Sequence, residues 1–264
     1  LPDVLSRDGE RIYMRSQVMD LEGNRSEVSL LQDKGNDAAR DAVHKGEEAH
    51  LFWPTGFLDD TRVNRSYWVY GRSFAEGAGG WPQAGKVAPG GRILAVDDSS
   101  VYGFGRKPRY YAWRTPLEYH LFASSKVPEI VREPTGPVIR RGNQQRRRMV
   151  QHPEHRWSRT IPMLVRAMVV AGDTLFIAGP ADVVDEEDAF SRVGDPEMDR
   201  KLADQDAAML GAEGAALWAV SAADGEKLAE LELDTMPRFD GLIAAAGRLY
   251  MTTTDGRVLC LAGR

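Results

Sequence analysis

Chemistry-bearing side chains are most concentrated in "TGFLDDTRVNRSYWVYGR", where Asp59, Asp60, Arg62, Arg65, Tyr67 and Trp68 fall within ten residues. Carboxylates, guanidinium groups and aromatic faces together suit a sugar, peptide or carboxylate ligand, because arginine forks onto oxyanions while rings stack on apolar faces. A plainer account competes. Asp-Asp after Phe57-Leu58 is an ordinary turn, and Arg62 or Arg65 then serves as its ion-pair partner. These six residues are the candidate ligand-binding set; no catalytic set and no metal set is assigned.

His50, His120, His152 and His155 supply imidazoles, and the His152-x-x-His155 spacing could bring two of them to a metal. No third ligand completes the set, and Pro153 between them reads as an exposed loop, so two surface histidines are expected. Glu186-Glu187-Asp188 reads as a solvated acidic edge where calcium could bind weakly. The run "RRGNQQRRR" could meet anionic polymers or lipid headgroups, although basic runs in loops are ordinarily just solvated. Asn24-Arg-Ser26 and Asn64-Arg-Ser66 match glycosylation acceptors. No Gly-x-Ser-x-Gly elbow, phosphate loop or zinc signature is present.

Composition narrows the classes. With 264 residues, 42% of them hydrophobic, the chain can bury a substantial core as one large domain or two small ones. Its formal charge of -5 argues against general nucleic-acid affinity, which needs a basic face. The single cysteine, Cys260, excludes an internal disulfide and, lying in a strand pattern, is expected to be a small buried apolar group. No apolar run approaches the roughly 20 residues of a membrane helix. The opening "LPDVLSRDGERIYMRS" has no initiator methionine and reads as a mature or truncated piece of a longer protein, with any export signal upstream.

The elements that must carry these groups repeat. "RDGERIYMRS", "VDDSSVYGFG", "VAGDTLFIAG" and "AAGRLYMTTT" each show a Gly/Asp/Ser turn, an aliphatic residue, an aromatic and then small or apolar residues, as a strand leaving a tight turn would. The aromatics Tyr13, Tyr102, Phe176 and Tyr250 stand 89, 74 and 74 residues apart. A plain propeller blade takes roughly 40 to 50 residues, so each of the four units must carry an insertion. Residues 24–49 are expected to be a loop with one short helix, 133–159 a loop around Pro134, Pro137 and Arg146-Arg147-Arg148, and 181–212 helical, with Met198, Leu202 and Met209 facing the sheets. In "AALWAVSAADGEKLAELEL" the residues Leu217 to Val220 leave no polar face, which predicts a strand covered on both sides.

The stretches "LWAVSAADGEKLAELEL" and "GLIAAAGRLYMTTTDGRVLCLAG" resemble the repeat of the PQQ-type (pyrroloquinoline quinone) β-propeller family, matching it at Ala219, Gly225, Lys227, Gly247, Leu249, Tyr250, Asp255 and Gly256. They depart from it at Ser221, Asp224 and Ala229, where the repeat has Asp, Thr and a tryptophan that docks between blades. The block from His50 to Tyr111 is similar to exported bacterial propellers of the same kind. The resemblance implies an all-β fold of four-stranded antiparallel blades with loop and helical insertions, in one domain over residues 1–264 or as the C-terminal portion of a larger ring. It also implies a periplasmic, outer-envelope or secreted protein whose remaining blades lie upstream.

For function, the leading expectation is a non-enzymatic binding or scaffold module that presents loops to protein or cell-surface glycan partners. A quinoprotein dehydrogenase is one alternative. There the resemblance implies PQQ over calcium, with adjacent cysteines, a tryptophan floor, an aspartate base, and Asn and Glu at the metal. The single cysteine and partial repeats do not supply these parts, so no cofactor is expected. A carbohydrate-binding or carbohydrate-acting propeller is the other alternative; acting on sugars would require paired acids, for which Asp59 or Asp60 is the only local lead.

Overall fold

The computed structural model describes residues 5–14, 17–26, 51–52, 68–70, 85–86, 88–110, 118–141 and 144–263. Period-2 segments separated by tight turns become antiparallel strands because each turn reverses the chain within a few residues. The first sheet joins β1 (Leu5–Asp8), β2 (Arg11–Met14) and β3 (Gln17–Met19), and the second joins β4 (Leu51–Phe52), β5 (Trp68–Tyr70) and β6 (Gly90–Gly91). The third has four strands: β7 (Ile93–Val96), β8 (Ser100–Arg106), β9 (Tyr119–Ser125) and β12 (His155–Arg159). The fourth also has four: β13 (Ala167–Ala171), β14 (Thr174–Gly179), β15 (Ala215–Ser221) and β16 (Lys227–Leu233). The last comprises β17 (Pro237–Ala245), β18 (Arg248–Thr253) and β19 (Val258–Ala262).

Each sheet is an up-and-down meander in chain order, and first strands of successive sheets touch, β7 against β13 and β13 against β17. This is the blade arrangement of an all-β propeller, and no sheet among the described residues closes into a barrel. Tyr13, Tyr102, Phe176 and Tyr250 all lie on the second strand of their sheets, as the repeat predicts. The four-unit count is too low. Trp68–Tyr70 forms the second strand of a further sheet, missed because its three residues are too few to show the repeat pattern.

Side-chain turns set the strand connections. Asp97 accepts from the Ser99 and Ser100 backbone N–H groups at 2.8 and 2.7 Å and from the Tyr102 hydroxyl at 2.8 Å, closing the β7–β8 turn. Between β9 and β12 the chain makes an antiparallel ribbon, β10 (Ile130–Arg141) with β11 (Gln144–Pro153), where the sequence predicts a loop. A two-stranded ribbon tolerates both prolines because Pro134 can turn its missing donor outward and Pro137 falls within the register shift between Thr135 and Ile139. The residues expected to be helical hold α1 (Glu186–Ser191) and α2 (Pro196–Met209), which begin at the caps Asp185 and Asp195. Met198 is buried, Leu202 packs beside it, and Met209 meets the main core, so the predicted helix face is the one that docks.

One core fills the space between the third and fourth sheets, with Tyr102, Phe104, Leu121 and Trp157 against Met168, Leu175, Ile177 and Val220. A second lies between the fourth and last sheets, around Ala178, Leu217, Leu242 and Met251. β15 is thus covered on both faces, as its continuous apolar pattern requires. Docking between sheets does not depend on the tryptophan missing at Ala229. Trp157 of β12 lies on the β15–β16 turn and donates from Nε1 to the Ala222 carbonyl at 2.9 Å. Gly225 makes the approach possible: its φ is 76°, and a Cβ there would stand 2.7 Å from the Trp157 ring. Cys260 is exposed, not buried, because on β19 it is Leu259 and Leu261 that turn to the core.

Candidate functional site

A groove opens beside the fourth sheet. The β15–β16 register sets Trp218 opposite Glu230 and Ala216 opposite Glu232, so indole and carboxylates share one face. The Pro162–Met163 segment and the Pro180–Ala181 turn form one wall, and Glu213, Gly214 and Asp234 close an end, enclosing about 660 Å³. Gly214, at φ 72°, is needed there because a Cβ would strike the Leu233 carbonyl oxygen. Glu213, Glu230, Glu232 and Asp234 bring four carboxylates to the lining, and among the described residues no lysine or arginine lines it.

β16 is the edge of its sheet and is exposed from Lys227 to Glu232, so these acids stay in water. The Glu230 carboxyl is held below its ordinary range by a bond from Lys227 and then by the Trp218 indole. The Lys227 ammonium stands 4.5 Å from the Trp218 ring centroid and 2.8 Å from Glu230 Oε2. Asp234 faces Arg257 at 3.6 Å. Carboxylates around an aromatic face form an environment for a cation.

A second acidic cluster, at the junction of the third sheet and α1, is closed. Glu118 Oε1 accepts from the Glu186 backbone N–H at 2.7 Å, and Lys107 reaches Glu118 at 3.4 Å. The Glu186 carboxyl is pushed up to about 9 by burial, by its bond with Glu118 and by the charges of Asp182 and Glu118. It is a neutral acid at pH 7. Glu187 and Asp188 are exposed, as expected of a solvated acidic edge, with Glu187 paired to the exposed Arg109 beyond β8; Glu186 alone of the three turns inward.

The histidines also differ from expectation. His152 and His155 are not surface residues; they pack with His120, which β9 brings alongside. His155 lies between the other two rings, with centroids 5.0 Å from His120 and 5.3 Å from His152. His120 shares a 2.6 Å hydrogen bond with Ser158 Oγ, and His152 Nε2 lies 3.1 Å from Glu133 Oε1. Burial holds the His120 imidazole far below its ordinary range, and burial followed by the His152 charge lowers His155 to about 3. His120 and His155 are packed neutral rings. Among the described residues no group of three His, Cys, Asp or Glu is placed to hold a metal.

Of the sequence-predicted ligand set, Asp59, Asp60, Arg62, Arg65 and Tyr67 lie outside the described residues, as does His50. Trp68 is buried in β5 opposite Gly91, a packing position. Arg147 of the basic run is exposed on β11, and Asn24 sits in an exposed turn bonded to Asp20. The groove residues escaped notice because Glu230 and Glu232 alternate with apolar residues in an ordinary strand pattern. The one available signal was Trp218 in a strand whose partner is acidic.

Cys260 is the single cysteine of this sequence, so the adjacent cysteines that the quinone resemblance implies do not occur in it, and no chemistry is derived from that cofactor. No family model matches the chain, and no curated protein matches it. Among solved structures it is similar to BamB from Moraxella catarrhalis, with 10% identity and a TM-score of 0.40, over 98% of this chain and 57% of that one. The chain thus spans little more than half of that structure's length. No helix among the described residues is long and apolar enough to cross a membrane.

Proposed function

We propose that this chain is a non-enzymatic binding module of the bacterial envelope or exterior, a propeller scaffold that holds a protein partner in the groove beside β16. Support comes from one observation: a groove of about 660 Å³ beside the fourth sheet brings four carboxylates and an indole to one open face. Sheets locked by Trp157 keep its walls in place, so the groove can recognise a partner without first ordering itself.

A photo-crosslinking residue at Glu232, in the protein produced in its own host, tests this against the same residue at Arg248. A discrete protein adduct from position 232 and none from 248 is the expected result. Equal or absent adducts overturn it. In the purified chain, PQQ with calcium is expected to give no saturable quenching of tryptophan fluorescence, and saturable quenching at micromolar ligand would restore the dehydrogenase alternative.

A further inference from the structure

A cation of the protein's own already sits on two of the groove's lining residues, Trp218 and Glu230. Lys227 begins β16, reaches back over Trp218 at 4.5 Å and pairs with Glu230 at 2.8 Å. An ammonium over an indole with a carboxylate beside it is the full chemistry of a cation site. The cavity lining also holds Glu213, Glu232 and Asp234, and Arg257, outside the lining, stands 3.6 Å from Asp234. Lys227 is exposed on an edge strand, and an exposed pair of this kind is worth little and costs little to displace.

We infer that the groove takes lysine or arginine side chains presented by a protein partner, and that Lys227 is an internal plug which the incoming cation displaces from Trp218. This deepens the proposed function and rests on it. Charge complementarity selects the occupant: four carboxylates and no lining cation repel acidic segments, and the Trp218 face suits the flat guanidinium of arginine best. The cavity exceeds what one side chain fills, so a short basic segment, not a single residue, is the unit recognised.

The test is calorimetric titration of the full chain with an acetylated tetra-arginine amide, against the isosteric tetra-citrulline peptide, which has the same shape without charge. The expected result is tetra-arginine binding at least ten-fold tighter, with E230Q/E232Q and Trp218→Leu each losing about ten-fold. Lys227→Met, which keeps the apolar stem and removes the ammonium, is expected to tighten binding about three-fold or more. A plain contact residue would not behave so. E197Q/D206N on α2 removes the same net charge elsewhere and is expected to change affinity less than two-fold.

Equal binding of the two peptides, or equal losses from the groove and α2 double variants, would overturn the inference by showing no contact or only diffuse attraction. Unchanged or weakened binding by K227M would overturn the plug. Circular dichroism of each variant separates lost binding from lost folding. A specific adduct at position 232 alongside indifference to peptide charge would sink this inference while leaving the binding-module proposal standing.

Discussion

Two groups of carboxylates, one where α1 meets the third sheet and one in the groove beside the fourth, behave in opposite ways. At the α1 junction, Glu118 and Glu186 are close, largely dry, and one must keep its proton. In the groove, Glu230 and Glu232 lie on an open sheet edge, and the Glu230 carboxyl is held below its ordinary range by Lys227. Residue type does not separate them. Water does: burial taxes the charged form and turns a carboxylate pair into a structural latch, whereas exposure leaves charge free to meet a partner.

The comparison depends on both sheets being held in register, and the largest effect is expected from breaking that. Trp157→Ala removes the ring that seats on Gly225 and the bond to Ala222, and should cost about 3–5 kcal/mol in urea unfolding. A loss below about 1 kcal/mol would mean that the sheets are held by something else.

Glu186→Gln sharpens the contrast directly. The folded pKa of Glu186 is raised, so the stability it contributes is complete below about 4.5 and is lost as pH rises toward about 9. Urea midpoints of the parent should therefore fall across that window, and those of the glutamine variant should fall less. Parallel curves would refute the latch.

Smaller still is the acid limb. His155 has its folded pKa lowered to about 3, so its contribution is present above about 6.5 and drains away as pH falls toward 3. His120, His152 and Glu133 surround that cluster. His155→Phe, which keeps a ring against Phe122, should make the midpoint less sensitive to acid between pH 6 and 4. Unaltered sensitivity would assign the acid limb to other groups.

Much of the architecture was legible in one dimension because turn chemistry and strand periodicity are local. Asp97-Asp98-Ser99 announces its turn, and Leu217 to Val220 announces a strand with no wet face. Pro134, Pro137 and the arginine run misled for the same reason: they report local preference, and an isolated ribbon with two free edges relaxes the rules that a central strand obeys. The second sheet was hidden because its second strand holds only Trp68, Val69 and Tyr70, too few residues to show the repeat's order of aliphatic, aromatic and small side chains.

What the sequence by itself determined was the class: a mostly β chain with strand-turn repeats, a helical insertion with its apolar stripe, and too much acid for a general nucleic-acid binder. Only the tertiary structure decided which charges are functional candidates. His120 meets His155 across 35 residues, Glu118 meets Glu186 across 68, and Trp157 meets Gly225 across 68. Desolvation and access to a partner are properties of the space around a side chain. That space is built by elements far apart in the chain, so no local pattern encodes it.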